Sequence, residues 1–247
     1  MTIFEMVEKD REELKDIDKN KELYYLSYPI KKRNGNSRWL DAPQGELKDF
    51  QEAFLYKFLY KFKPHPAAVG FVTKKHVSDG AKKHLKNNVL LTIDVLNFFG
   101  SIHELRVIKL ISFLFSAYVK RDPSFVFRKD DIPLIASLLT FKGSIPQGAP
   151  SSPALSNLYC LRLDKNLTNF AENHNLVYTR YADDSAFSHK NRTEDIGKLI
   201  PEIEMFFNAE ALVLNKKKTK VRRPHKRMVV TGVVINDKLG IPKWKSK

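Results

Sequence analysis

The sequence predicts an α+β fold with a mostly antiparallel sheet packed on helices. Short apolar runs of strand type alternate along the 247 residues with stretches whose apolar positions recur every three to four residues. Neighbouring strand runs are joined across turn-forming residues, as hairpins are. A content of 43% apolar and 11% aromatic residues can bury a substantial core, in one large domain or two small lobes, and excludes global disorder.

Residues 1–22 carry eight acidic and five basic side chains, and Ile3, Met6, Val7, Leu14 and Ile17 fit one helical stripe. That pattern predicts a surface helical extension whose polar face avoids a polyanion. Tyr24 to Ile30 and Arg38 to Asp41 predict two strands of a basic hairpin, with Asn34-Gly35 as its turn. Pro43 then opens a helix in which Leu47, Phe50, Phe54 and Phe58 share a face; helical spacing explains this aromatic row as core, and Lys63-Pro64-His65-Pro66 ends it. Val89 to Phe99 is an apolar strand carrying a single acid, Asp94, and Ser101 with Glu104 predicts a capping box for a helix to about Tyr118. After a polar connection from Arg121 to Pro133, the stretch Pro146-Gln147-Gly148-Ala149-Pro150-Ser151-Ser152-Pro153 leads into one long helix, N-capped by Ser152 and running to about Asn173. Val177 to Tyr181 and Ser185 to Ser188 form a second hairpin with Ala182-Asp183-Asp184 in its turn. A helix from about Thr193 to Ala209 and two short strands, Lys220 to Arg223 and Met228 to Ile235, complete the pattern.

A formal charge of +15 points to a polyanionic partner. The charge is concentrated between Leu214 and Arg227, where Lys216, Lys217, Lys218, Lys220, Arg222, Arg223, Lys226 and Arg227 stand without one acid. Eight like charges so close together need an anion nearby, and nucleic acid is the expected one. No run approaches the roughly 18 apolar residues of a membrane span, and the N-terminus has no basic stretch leading into an apolar one, so a soluble, unsecreted, cytoplasmic protein is expected. The single cysteine, Cys160, has no metal-ligand spacing around it and is expected to be a buried apolar residue in a reducing compartment.

The chemistry is expected at the aspartates. Asp94 inside an apolar strand is costly unless paired, and Asp183-Asp184 sets two carboxylates side by side in a turn, where their repulsion calls for a cation. Hard oxygen ligands select Mg²⁺. Three aspartates on adjoining strands could hold two such ions about 3.5–4 Å apart, the arrangement that serves in-line phosphoryl transfer. Alone, an Asp-Asp pair in a hairpin is better read as an ordinary acidic turn, and it is the combination with Asp94 that points to a metal.

Three segments in order resemble the reverse transcriptase family. Tyr181-Ala182-Asp183-Asp184 is similar to its Y-x-D-D box, Asp94-Val95-Leu96-Asn97-Phe98-Phe99 to its first catalytic strand, and Pro146 to Pro153 to its P-Q-G-x-x-x-S-P element, with the likeness reaching from about Tyr24 to Gly232. The resemblance implies the fingers and palm of a right-hand polymerase: a helical extension over 1–22, fingers over 23–88 with part of 121–145, a palm over 89–235 and the start of a thumb connection over 236–247. It further implies that Asp94 and Asp183, accompanied by Asp184 and the main-chain carbonyl of Val95, hold two Mg²⁺ ions for RNA-directed DNA synthesis. Phe99 matches the steric gate that favours deoxynucleotides, while Phe98, facing the other way, is expected in the core. Gln147 matches a residue near the nucleotide, and Gly148 one that lets backbone approach ligand. Arg38 matches the triphosphate-binding finger strand; with an Asn34-Gly35 turn Lys31 stands opposite it, and another loop length would substitute Lys32. Leu214-Asn215 with Lys218-Thr219 resembles the later N-x-x-K-T segment, leaving open which of Lys216, Lys217 and Lys218 serves pyrophosphate. These lysines with Arg222, Arg223, Thr231 and Gly232 are the expected RNA and primer contacts.

Val230-Thr231-Gly232 also resembles a triplet of the bacterial retron enzymes, which copy part of a structured RNA into DNA joined to that RNA. Their upstream N-A-x-x-H element is matched by Gly80-Ala81-Lys82-Lys83-His84, with Gly80 in place of Asn and His84 expected to be structural or a phosphate contact. The resemblance implies a template RNA, its RNA-DNA product and deoxynucleoside triphosphates as partners, and an effector protein in phage defence. Family members continue into a helical thumb, whereas 15 residues follow Gly232; truncation, a thumb supplied by another chain, or reliance on the basic surface are the alternatives. The competing expectations are an RNA-copying RNA polymerase, against which Phe99 argues, a non-catalytic RNA-binding palm, against which the three aspartates argue, and a group II intron-like or abortive-infection enzyme.

Overall fold

The apolar stripe of the first 22 residues closes onto protein. Ile3, Val7, Leu14 and Ile17 are almost wholly buried, on α1 (Ile3–Val7) and α2 (Arg11–Lys19). The computed structural model describes residues 1–31, 35, 37–193 and 195–240. It divides into two units, one of Met1–Lys63 with Phe99–Tyr159 and the other of Pro64–Phe98 with the chain from Cys160 onward.

In the first unit α1 starts at a capping box, with Thr2 Oγ1 accepting from the Glu5 amide at 3.2 Å and the Glu5 carboxylate accepting from the Thr2 amide at 2.9 Å. Asp10 caps α2 by accepting from the amides of Glu12 and Glu13. Strands β1 (Tyr25–Lys31) and β2 (Ser37–Pro43) form the expected antiparallel hairpin, but Ile30 stands opposite Arg38 and Lys31 opposite Ser37. The pairing is therefore displaced by one position from the one that a two-residue Asn34-Gly35 turn would set. Because side chains alternate, that displacement sends Lys31 and Arg38 to opposite faces. Lys32 and Asn34 lie outside the described residues, as do Lys243, Lys245 and Lys247 of the basic tail.

Helix α3 (Gly45–Lys57) begins two residues after Pro43, which ends β2. Its aromatic row is core: Phe50, Phe54 and Phe58 are fully buried, and Phe58 meets Phe115 edge-on at 5.2 Å between ring centroids. Helix α5 (Glu104–Arg121) is preceded by His103 as cap residue, so the Ser101–Glu104 box does not form. Ser101 instead closes a 3-10 turn, Phe99–Ser101, and the Glu104 carboxylate accepts from the Thr140 hydroxyl at 3.0 Å, next to α6 (Asp131–Leu138).

The long helix expected from Ser152 to Asn173 is two helices, α7 (Ser152–Tyr159) and α8 (Leu161–Asn173), broken at Cys160 where ψ swings to 5°. Cys160 is buried, and desolvation pushes its thiol up to about 12, so it stays protonated.

The second unit is built on an antiparallel sheet in the order β4-β5-β3-β6, with β3 (Val89–Asp94), β4 (Val177–Tyr181), β5 (Asp184–His189) and β6 (Lys220–Arg222). Helices α4 (Val77–Lys83), α8 and α9 (Ile200–Ala209) flank it. Pro201 stands at the start of α9, and a 3-10 turn, Ile196–Leu199, takes the place of the earlier helical turns expected there. The last expected strand is a hairpin of β7 (Val229–Val230) and β8 (Val233–Val234), packed through Met228, Val230 and Ile235 onto Ala81, Leu90 and Ala186.

Candidate active site

All three aspartates belong to the second unit, and the register of its sheet brings them together. β3 and β5 pair so that Asp94 faces Asp184. Across the β4–β5 hairpin Tyr181 pairs with Asp184, which leaves Ala182-Asp183 as a two-residue turn. Ala182 sits at φ +53°, the left-handed region that hairpin turns of this length require. The Asp183 carbonyl accepts from the Val95 amide at 3.2 Å, tying the turn to the residue that follows Asp94.

Asp94 is 7% exposed and has two side-chain partners. Lys218 Nζ donates to Oδ2 at 2.8 Å, and Asn215 Nδ2 donates to Oδ1 at 3.1 Å. Asn215 also donates its amide to the Asp94 carbonyl at 2.8 Å. The Asn215 carbonyl in turn accepts from the Lys218 and Thr219 amides and the Thr219 hydroxyl, so the N-x-x-K-T segment is one tight turn pinned to the end of β3. Of the three candidate lysines, Lys218 reaches the aspartates, whereas Lys216 pairs with Glu204 at 3.5 Å and Lys217 is exposed.

Asp184 is exposed at the tip of the hairpin, yet its carboxyl is pushed up to about 6. Crowding of its base by protein is the first cause; the like charges of Asp183 and Asp94 come next, and Lys218 opposes them. The Lys218 ammonium is held above its ordinary value, chiefly by its bond to Asp94. Among the described residues no three His, Cys, Asp or Glu side chains form a ready-made cage. Mg²⁺ does not need one, since it is held by one or two carboxylates together with water and substrate phosphates. Repulsion at Asp184 that Lys218 only partly offsets, and a cation already drawn onto Asp94, mark a place for positive charge, and the donor set fits that ion.

Thr231 and Gly232 form the β7–β8 turn, at φ +48° and +83°. They line a cavity of roughly 190 Å³ with Thr92, Asp184, Ser185 and Arg222, so the expected primer turn and an aspartate share one recess. Arg222 Nη1 donates to Thr92 Oγ1 at 3.0 Å, while the Thr231 and Ser185 hydroxyls are buried without a hydrogen-bond partner among the described residues. Arg223 donates to the Arg192 carbonyl.

The other expected nucleotide residues lie in the first unit. Phe98 is buried, as expected, and half-buried Phe99 opens the 3-10 turn. The Gln147 carbonyl accepts from the Asp41 amide at 2.7 Å, and its side-chain oxygen is buried without a partner among the described residues. Gly148, at φ +118°, would place a Cβ 3.0 Å from the Asp41 carbonyl. Gly148 thus lets the backbone approach β2 closely. Lys31 and Arg38, on opposite faces of the hairpin, do not act as one pair.

His84 is structural. Its ring nitrogens meet Ser188 Oγ at 2.6 Å and Thr179 Oγ1 at 2.7 Å, and burial lowers it to about 4, so it is neutral. Sequence reasoning overlooked Arg180. The signal was a full charge immediately before the Tyr-Ala-Asp-Asp box, in the buried stretch of a strand.

The reverse transcriptase (RNA-dependent DNA polymerase) family pattern matches residues 30–235. The chain is 34% identical over 233 residues to the retron Ec86 reverse transcriptase of Escherichia coli, covering 90% of this chain and 67% of that protein. It is 32% identical to the retron Mx65 reverse transcriptase of Myxococcus xanthus, covering 88% of this chain and 52% of that one. Among solved structures, telomerase from Candida albicans aligns over 86% of this chain and 45% of its own, with a TM-score of 0.59 and 15% identity, a likeness of fold alone. The chain thus spans about half to two thirds of the length of these curated relatives. Family pattern, retron relatives and the convergence of Asp94, Asp183 and Asp184 agree: this chain belongs to the reverse transcriptase family.

Proposed function

We propose that this chain is an RNA-directed DNA polymerase that adds deoxynucleotides to a primer hydroxyl, copying a structured RNA in a bacterial retron. The observation that carries the reading is the pairing of Asp94 with Asp184 beside the Asp183 turn, with Lys218 and Asn215 on the Asp94 carboxylate. Asp94, Asp183, Asp184 and the Val95 carbonyl would hold two Mg²⁺ ions, which when bound supply activation of the primer hydroxyl and neutralise the departing pyrophosphate. Asn215 fixes the rotamer of Asp94. Lys218, held protonated near the aspartates, is the group placed to give a proton to pyrophosphate. Thr231, Gly232 and Arg222 seat the primer end in the recess that Asp184 shares.

Phe99 selects against a ribose 2′-hydroxyl, Gln147 and Gly148 shape the nucleotide side, and either Lys31 or Arg38, not the two as a pair, meets the triphosphate. Lys216, Lys217, Arg222 and Arg223 contact RNA through phosphates. The retron relatives and the match of residues 30–235 support fingers over 23–88 and a palm over 89–235, with the RNA-DNA product and an effector protein as further partners in the cytoplasm.

The test is Mg²⁺-dependent primer extension on an RNA template, with deoxy- against ribonucleotides and wild type against Asp183→Ala. Extension with deoxynucleotides, lost in the variant while RNA binding stays, is the expected result. Synthesis retained by Asp183→Ala would refute the metal assignment, and tight RNA binding without extension by wild type would favour a non-catalytic RNA-binding module.

A further inference from the structure

Beneath the catalytic turn lies an ion pair that no step above uses. Arg180 on β4 is 1% exposed, and Asp164 in the first turn of α8 is wholly buried. Arg180 Nε donates to Asp164 Oδ1 at 2.7 Å and Nη2 donates to Oδ2 at 2.6 Å, a two-pronged contact. The Tyr178 hydroxyl adds a third hydrogen bond, donating to Oδ1 at 2.9 Å. The remaining guanidinium nitrogen, Nη1, donates to the Ala182 carbonyl at 3.2 Å.

We propose that the Arg180–Asp164 pair positions the catalytic turn, and through it Asp183 and Asp184. The proposal rests on the metal-binding reading of those aspartates. A peptide group is planar, so the direction of the Ala182 carbonyl sets the direction of the Asp183 amide and the starting point of its Cα. The next peptide is held from the other side, where the Asp183 carbonyl accepts from the Val95 amide. Asp183 is thereby clamped through both of its flanking peptides, one by the guanidinium and one by the end of β3. The clamp is needed because Ala182, a residue with a Cβ, is held at φ +53°.

Arg180 cannot shift to follow a relaxing turn. Its amide donates to the Ala67 carbonyl at 2.9 Å and its carbonyl accepts from the Val69 amide at 2.8 Å, so backbone and side chain are fixed together. A buried ion pair is also a poor way to gain stability, since well-packed neutral residues of similar size often do as well. Its geometric precision is what a neutral pair would not reproduce.

The decisive variant is the double substitution Arg180→Met with Asp164→Asn, which removes both charges together and leaves Tyr178 an acceptor. Its readouts are urea unfolding, RNA affinity, kcat and KM for deoxynucleotides, and Mn²⁺ affinity measured by electron paramagnetic resonance on the protein alone. Near-normal unfolding and RNA binding, with kcat and Mn²⁺ affinity each reduced roughly 10- to 100-fold and KM little changed, is the expected result. Arg180→Lys, able to reach Asp164 or the Ala182 carbonyl but not both, should fall between the double variant and wild type. A folded double variant with wild-type kcat and Mn²⁺ affinity overturns the proposal and makes the pair a plain structural anchor. Should the double variant fail to fold, Arg180→Lys carries the test, and unchanged Mn²⁺ affinity in it overturns the proposal equally. If wild type itself does not extend primers, the polymerase reading fails on its own, while Mn²⁺ affinity still decides the positioning role.

Discussion

Acid should weaken the second unit through His84, by an amount the structure sets. Buried between Ser188 and Thr179, the imidazole is lowered to about 4 from an ordinary 6.5, burial being the first cause and the nearby Lys83 charge the second. A folded-state value below the unfolded one means that the unfolded chain takes up the proton first. His84 therefore contributes its full stability above pH 6.5 and loses it as pH falls toward 4. At about 1.4 kcal/mol per pH unit, the loss by pH 4 is roughly 3 kcal/mol. Urea unfolding of wild type and His84→Gln across pH 7 to 4, with the denaturant slope checked for constancy, isolates this contribution from the other histidines. The variant should be less stable at pH 7, and its deficit should shrink by roughly 3 kcal/mol on going to pH 4. A deficit independent of pH would mean that His84 is charged when folded or is reached by water, and would refute the buried, neutral assignment.

Gly148→Ala should destabilise the first unit by about 1–3 kcal/mol, from strain at a left-handed φ and from the Asp41 carbonyl 3.0 Å from the new Cβ, measured by urea unfolding. Lys218→Met should tighten Mn²⁺ binding to the protein alone by up to about fivefold, the scale of an exposed pair, because it removes the cation that competes for Asp94, while primer extension slows. Unchanged Mn²⁺ affinity would show that the bond to Asp94 does not compete with metal. Replacing Lys217, Lys220 and Lys226 by Gln should make the dependence of log Kd for single-stranded RNA on log salt shallower by roughly 2. An unaltered slope would place the phosphate contacts on another surface.

The parts of the fold that were legible are those where burial leaves one choice. β3 is apolar and almost entirely buried, so it must lie inside a sheet covered on both faces, and with β5 as its neighbour Asp94 meets Asp184. β1 is exposed along nearly all of its length and β2 over its first three residues, so no buried face specifies their register. Asn34-Gly35 is a strong local turn signal, yet the pairing stands one residue away from the register that it predicts. The Ser101–Glu104 box failed for a comparable reason: Thr140 takes Glu104, and Ser101 is used in the turn before the helix. The break at Cys160 left no proline or glycine in the sequence to announce it.

Within the site, spacing identified the carboxylates but not their supports, because those depend on distances the sequence does not order. Lys216, Lys217 and Lys218 look alike until the Asn215 turn forms, in which a residue three positions on returns to the side of Asn215 and meets the same carboxylate. Gly80 makes the same point from the opposite direction. Set against the retron pattern it reads as a departure, yet a Cβ there would stand 2.7 Å from Val69 Cγ2. Val69 belongs to the segment whose amide holds the Arg180 carbonyl, and His84, four residues after Gly80, bonds to Thr179 on the same strand. A side chain at position 80 would have to displace the Val69 side chain, whose own amide holds the Arg180 carbonyl. The glycine thus packs against the residue that supports the strand of the catalytic turn, so a larger residue at position 80 calls for a smaller one at position 69.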